Sequence, residues 1–252
     1  MQTYRLFDDD VPTTIDHYPS TYPSGRIGAV IFPGGAYATL SEHEGEGYAR
    51  MLNTLGVEAF VVKYSTAPRH FPAQLLDARR AVRFVRKNAE IFHVDKDKII
   101  VVGSSAGGHL AALLSTYTEN IDGEERDEID REDYTPNGQV LCYPVICSDE
   151  RVGHKDSYQN LLGDLYGQRQ NYSPELLVCP STPPTFMWHT SSDALVSVVN
   201  SYRYATALAE HGVPCELHVF PVGGHGSGIS PHIPHVSAWI ELLRKWLNAY
   251  FK

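Results

Sequence analysis

The chain has 252 residues, with 21 Lys+Arg against 30 Asp+Glu for a formal charge of −9, 42% hydrophobic residues and 20% charged residues. That length suits one α/β domain, and that composition excludes wholesale disorder. The acidic balance excludes a nucleic-acid partner, which needs clustered cations. No apolar run approaches the ~18 residues of a membrane span, so no membrane association is expected. The first ten residues, MQTYRLFDDD, have neither the basic start nor the apolar core of a secretory leader, so a cytoplasmic location is expected. Cys142, Cys147, Cys179 and Cys215 form no CxxC pair, which argues against a zinc knuckle and for free thiols.

Residues 27–32 (IGAVIF) predict a buried strand that ends at Pro33-Gly34-Gly35. Tyr48, Met51, Leu52 and Leu55 follow at i, i+3, i+4 and i+7, one face of a helix that Gly56 stops. Residues 57–64 (VEAFVVKY) predict the next strand. Leu75, Ala78, Val82 and Val85 keep helical spacing behind Pro72, which suits a helix start. Residues 98–102 (KIIVV) predict a short strand running into Gly103 and a small-residue helix at 106–115. Three more strands are predicted at 139–146 (QVLCYPVI), 185–190 (TFMWHT) and 216–220 (ELHVF), with a helix at about 198–211 between the last two. Val236, Trp239, Ile240, Leu243 and Leu247 give a closing amphipathic helix.

Continuous apolar strands alternating with helices are the signature of a parallel sheet covered on both faces. No repeat of 20–50 residues is visible, which excludes solenoids and propellers. Two stretches break the rhythm. Residues 119–133 are strongly acidic and predict a solvated loop. Residues 147–184 are long, polar and aromatic, and predict an insertion over one end of the sheet within a single domain spanning 1–252.

Gly103-Ser104-Ser105-Ala106-Gly107 matches G-x-S-x-G. The pentapeptide alone is weak. Placed after a short apolar strand and before a helix, it becomes a nucleophile elbow with Ser105 at its centre. The bland alternative is a Gly/Ser helix cap. A serine hydroxyl needs a base to take its proton. His225 sits in the Gly-rich loop Val222-Gly223-Gly224-His225-Gly226, after the last predicted strand. His232 and His235 follow closely, but no carboxylate or thiol completes a metal set with them, so no metal and no other cofactor is expected. The base needs an acid to fix its tautomer. Asp193 follows the 185–190 strand, where α/β sites are built, and Asp149 holds an analogous place as the runner-up. The order Ser105, Asp193, His225 suits this fold class. Oxyanion donors are expected from the backbone of Ala106 and from the Phe32-Pro33-Gly34-Gly35-Ala36-Tyr37 turn.

With these landmarks the chain resembles the α/β-hydrolase superfamily along nearly its whole length. The subfamily likeness is to small esterases related to hormone-sensitive lipase and to bacterial carbohydrate acetylesterases, including xylan-type enzymes. Pro33-Gly34-Gly35-Ala36-Tyr37 is similar to the His-Gly-Gly-Gly/Ala-aromatic segment, with Pro33 in place of the histidine. By position, Gly35 and Ala36 would carry oxyanion N–H groups. Residues 64–73 (YSTAPRHFPA) look like the family's Tyr-Arg-Leu-Ala-Pro-Glu-x-x-Phe-Pro-Ala landmark. Ser191-Ser192-Asp193-Ala194-Leu195-Val196 and Gly224-His225-Gly226 look like its acid and base segments. About 26 residues precede the first clear strand, which agrees with the acetylesterases that lack a large N-terminal cap. Some relatives carry xylanase names, but no carboxylate pair for glycosidic hydrolysis stands out.

The resemblance implies a serine esterase that removes small acyl groups, acetyl first, from an acylated sugar or oligosaccharide. A generic short-chain carboxylesterase stands close behind. A prolyl-oligopeptidase-type peptidase has a similar elbow, but 252 residues leave no room for its propeller. A catalytically dead binding protein is disfavoured by the intact Ser105, Asp193 and His225 set. Tyr37 is expected to bind substrate and shorten the acyl pocket. Trp188, Tyr158, Tyr166 and Tyr172 are expected to offer faces for sugar rings, the alternative for the three tyrosines being that they only anchor the long 147–184 loop. Homo-oligomerisation stays open.

Overall fold

The computed structural model of the chain describes residues 1–7, 13–23, 25–121 and 126–251. An eight-stranded sheet runs in the order β1-β2-β4-β3-β5-β6-β7-β8. Its strands are β1 (Gln2–Arg5), β2 (Thr14–Tyr18), β3 (Gly28–Phe32), β4 (Glu58–Lys63), β5 (Ile99–Ser104), β6 (Gly138–Cys142), β7 (Thr185–Thr190) and β8 (Cys215–Phe220). β2 lies antiparallel to β1 and to β4, and the remaining pairs are parallel. This is the α/β-hydrolase fold.

The six strands predicted from apolar runs are β3 to β8. The 139–146 run is the one that stops early. β6 ends at Cys142, because Tyr143 takes a φ of 38° and turns the chain out of the sheet. β1 and β2 escape sequence detection because their polar residues are satisfied laterally. Thr3 donates to Asp16 at 2.6 Å, Lys63 pairs with Asp16 at 2.9 Å, and His17 bonds Glu58 at 2.8 Å.

Alternate strand residues feed two cores. Val30, Phe32, Ile99, Val101 and Met187 join one face, with Leu75, Ala78 and Val82 of α2 (Ala73–Lys87). α3 (Ser105–Thr116), α4 (Lys155–Leu162) and α5 (Val199–Glu210) add apolar residues to that same face. Ala29, Ile31, Ile100, Val102 and Trp188 join the other, under α1 (Glu42–Thr54) and α7 (Trp239–Tyr250). A short α6 (Pro234–Ser237) precedes α7, where the sequence predicts one continuous helix. Among the described residues no helix is long and apolar enough to cross a membrane, and the four cysteines are free thiols.

The acidic segment is not simply solvated. Four arginines on α2, all buried, reach across to it and its flanks. Arg79 donates to the carbonyls of Tyr117 and Glu119. Arg80 grips Asp127 with two 2.6 Å bonds and pairs with Asp130 at 3.0 Å. Arg83 donates to the Glu132 carbonyl. Arg86 donates to the carbonyls of Lys96, Asp133 and Thr135 and to Asn137 Oδ1. The planar guanidinium fork suits such multiple donation. Residues 122–125 of the predicted loop lie outside the described residues.

Arg86→Ala removes a buried guanidinium that four acceptors share. It is expected to cost about 2–4 kcal/mol of unfolding free energy, read as a lower urea midpoint at unchanged slope.

Candidate active site

The elbow is forced by close packing. β5 ends at Ser104, and Ser105 opens α3 with a φ of 52°, a left-handed conformation that costs a non-glycine residue of order 1–3 kcal/mol. The flanking glycines are required by contact. A Cβ on Gly103 would meet the Gly107 carbonyl oxygen at 2.2 Å, and one on Gly107 would meet the Phe32 carbonyl oxygen at 2.0 Å. The start of α3 therefore lies directly against the end of β3, and the turn after β3 lies beside Ser105.

Ser105 Oγ is 2.8 Å from His225 Nε2, and His225 Nδ1 is 2.7 Å from Asp193 Oδ2. A carboxylate oxygen can only accept, so Nδ1 carries the proton. Nε2 is then left to accept from the serine hydroxyl. Asp193 is saturated with donors. Its Oδ1 accepts the N–H groups of Leu195 and Val196, each at 2.9 Å. Its Oδ2 is also 3.3 Å from His189 Nε2. Burial pushes the Asp193 carboxyl up, but the donors from His189, His225 and Val196 outweigh it and hold the group well below the usual carboxylate range.

The three residues expected to act together are thus brought together. Asp149 is not with them. Its carboxylate pairs with Arg151 at 2.6 Å and Arg203 at 3.0 Å. Among the described residues no group of three or more His, Cys, Asp or Glu is placed to hold a metal ion.

The turn at 33–37 shows a one-sided hydrogen-bond pattern. Every carbonyl is engaged: Pro33 by Tyr64 Oη at 2.6 Å, Gly34 by the Ser41 N–H, Gly35 by Ala38 and Thr39, Ala36 by Asn160 Nδ2, and Tyr37 by Ala67. The N–H groups of Gly35, Ala36 and Ala106 find no acceptor among the described residues. Gly35, Ala36 and Tyr37 all have positive φ, from 53° to 128°, so the backbone is curled. Unused N–H groups on a curled turn beside a helix N-terminus form an anion-binding concavity.

This geometry agrees with what the chain is similar to. The chain belongs to the BD-FAE family. The match covers residues 19–208. The structure of an acetyl ester-xyloside bifunctional hydrolase from Caldicellulosiruptor lactoaceticus is 37% identical, with a TM-score of 0.89 over 98% of this chain and 96% of that one. An acetylxylan esterase from Xylanibacter ruminicola is 33% identical over 98% of this chain and 50% of its own length. Endo-1,4-beta-xylanase B from Butyrivibrio fibrisolvens is 38% identical over 78% of this chain and 32% of its own. The BD-FAE chain therefore spans about half and about a third of these two relatives.

Several aromatic expectations need correction. In this BD-FAE protein Tyr37 is fully buried and does not present a face to substrate. Its hydroxyl donates to His109 Nδ1 at 2.8 Å, and His109 Nε2 donates to the Tyr172 carbonyl at 2.9 Å. Burial drops the His109 imidazole to about 4, so it stays neutral and serves as a relay post between the 33–37 turn and the 147–184 segment. Trp188 is buried on the opposite core, stacked on Trp239 at 5.2 Å. Tyr158 and Tyr172 are also buried, and Tyr158 Oη donates to the Ile146 carbonyl. Tyr166 alone of the set is partly exposed, with Arg169 over its ring at 5.0 Å.

Two buried polar residues of the site were missed from sequence. His189, in β7, donates from Nε2 to the Val196 carbonyl at 3.0 Å and accepts from Ser201 at Nδ1, which fixes its tautomer beside Asp193. Glu44, in α1, accepts the Gly34 N–H at 2.9 Å. Polar residues inside an apolar strand or on an apolar helix stripe were the available signals.

The depressed Asp193 carboxyl has a consequence for stability. A group whose folded pKa lies below its unfolded value of about 3.9 contributes fully above that value and loses the contribution as pH falls. Wild-type melting temperature is therefore expected to fall more steeply below about pH 4 than that of Asp193→Asn. Parallel acid limbs in thermal melts would contradict the hydrogen-bonded state of this carboxylate.

Proposed function

We propose that the protein is a serine esterase that removes acetyl groups from carbohydrate hydroxyls through an acyl-enzyme. The observation that carries this reading is the relay from Ser105 through His225 to Asp193, set beside the unused N–H groups of Gly35, Ala36 and Ala106. His225 Nε2 takes the hydroxyl proton as Ser105 Oγ attacks the ester carbonyl carbon. The three N–H groups receive the negative oxygen of the tetrahedral intermediate, where charge develops only in the transition state. The imidazolium gives its proton to the departing sugar oxygen, leaving acetyl on Ser105. Water, deprotonated by His225, then releases acetate by the reverse sequence. Asp193 holds the ring in the productive tautomer throughout and stabilises its charged form.

The carbohydrate half of the proposal is supported by the names of the relatives, an acetylxylan esterase and an acetyl ester-xyloside hydrolase. Cleavage of the sugar backbone itself is not favoured. It needs two carboxyl groups flanking the scissile bond. Asp193 and Glu44, the carboxylates bonded to His225 and to the 33–37 turn, are buried and occupied by protein donors.

Ser105→Ala is expected to lower kcat on an acetyl ester by about 10⁴-fold or more with little change in melting temperature. Asp193→Asn should lose about 10³–10⁴-fold in kcat, because an amide there presents a donor where His225 needs an acceptor. Asp149→Asn should stay near wild type. A harmless Asp193→Asn beside a damaging Asp149→Asn would reassign the acid.

Substrate class is tested by kcat/KM across acetylated xylo-oligosaccharides, nitrophenyl esters from two to eight carbons, and peptide amides. Preference for acetylated sugars, then acetyl over butyryl esters, is expected, because this ratio measures differential transition-state binding. A maximum at six carbons or beyond would favour a lipase-like carboxylesterase, and efficient amide cleavage would favour a peptidase.

A further inference from the structure

The first turn of α1 touches both halves of the proposed site. Glu44 is only 2% exposed, and both of its oxygens accept hydrogen bonds. Oε2 takes the Gly34 N–H at 2.9 Å. Oε1 takes the Tyr143 hydroxyl proton at 2.7 Å. Tyr143 Oη in turn accepts the Gly228 N–H at 3.0 Å. It lies 3.0 Å from Tyr48 Oη, and since its one proton goes to Glu44, Tyr48 is the donor of that bond. Burial pushes both phenols well above the ordinary tyrosine value, so neither loses its proton. The Tyr143 hydroxyl therefore has all its bonding capacity in use.

The two ends of this chain are the two loops that the reaction needs in register. Gly34 precedes the Gly35 and Ala36 donors. The Pro33–Gly34 peptide is held at its oxygen by Tyr64 and at its hydrogen by Glu44, so its plane cannot rotate. Gly34 itself is pressed between the two groups. A Cβ there would come within 2.5 Å of Glu44 Oε2 and 3.0 Å of Ser105 Cβ. At the other end, Gly228 belongs to the loop that carries His225, and the Tyr143 ring stands edge-on to the His225 imidazole at 5.2 Å. His43, next to Glu44, bonds the Gly226 carbonyl at 2.8 Å and secures the same loop.

We propose that Glu44, acting through Tyr143, is a positioning residue that sets the distance between the oxyanion donors and the general base. The proposal rests on the Ser105 esterase reading above. Donors must sit about 2.7–3.1 Å from the position the developing oxyanion will occupy to act, whereas ground-state binding tolerates more error. Loosening the strut should therefore slow turnover and leave substrate binding nearly intact. An amide in place of the carboxylate cannot accept at both positions, so Glu44→Gln breaks one end while preserving shape. Tyr143→Phe breaks the same strut from the middle, leaving the ring on His225.

The test compares wild type, Glu44→Gln, Tyr143→Phe and the double variant on an acetyl ester. An organophosphonate that labels the serine counts competent sites, so that kcat refers to folded enzyme only. Expected is a 10- to 100-fold fall in kcat for Glu44→Gln and a smaller fall for Tyr143→Phe, with KM within threefold. The double variant should be no worse than Glu44→Gln, because both cut one connection. Single variants with kcat within threefold of wild type, whatever their melting temperatures, would show a structural role only and overturn the proposal. Multiplying losses in the double variant would also overturn it, since the two residues would then act separately. If Glu44→Gln does not fold, the split between kcat and KM in Tyr143→Phe decides alone. Wild-type enzyme that the phosphonate does not label would remove the Ser105 reading itself, and the proposal with it.

Discussion

The site depends on a packing constraint with no chemistry in it. The first turn of α3 and the end of β3 occupy one another's space so closely that a single methyl group at Gly107 would collide with the Phe32 carbonyl. That contact places the turn at 33–37 next to Ser105 and bends the chain at Ser105 into a left-handed conformation. The strain persists because the flanking strand and helix are fully buried and cannot relax around it. Ser105 and the curled 33–37 turn are neighbours because β3 and β5 are neighbours in the sheet.

Loops normally carry the looser parts of a fold. Here the loops that matter are held by a dense set of polar contacts, several of them buried. Tyr64, Asn160, Glu44 and Ala67 each satisfy one group of the 33–37 turn. Thr190 and Ser192 donate to the Gly223 carbonyl, and His43 and Tyr143 hold Gly226 and Gly228. A buried polar group left without a partner costs about 1–3 kcal/mol, so the buried bonds of Glu44, Tyr64 and Tyr143 resist being opened. Precision of the backbone N–H groups follows from the engagement of the carbonyls around them.

The sheet was legible from sequence because its strands are apolar on both sides, and covered strands need nothing else. The residues at the C-terminal edge were legible because strand, turn and helix punctuate the chain at Ser105, Asp193 and His225, and the structure brings these three within hydrogen-bond reach. The aromatic residues were not. An aromatic in a loop looks available to a sugar, but a phenol with a buried acceptor in reach turns inward, as Tyr37 does toward His109 and Tyr158 toward the Ile146 carbonyl. The outer strands were hidden for the converse reason. Asp16 and His17 interrupt an apolar pattern, and only their cross-strand partners make them fit.

Glu44 shows where a finer signal lay. It precedes Tyr48 by four residues and so sits on the stripe that Tyr48, Leu52 and Leu55 extend, which the structure places against the sheet. His189 likewise lies inside a strand whose other residues are all buried. A charged or titratable residue at a position that the pattern reserves for an apolar one carries a desolvation cost that packing alone does not return. It persists where specific partners meet it, and here those partners are the Gly34 peptide, the Tyr143 hydroxyl and the Asp193 carboxylate. The departures from the apolar pattern thus mark the groups that hold the 33–37 turn and the Asp193–His225 pair in place from behind.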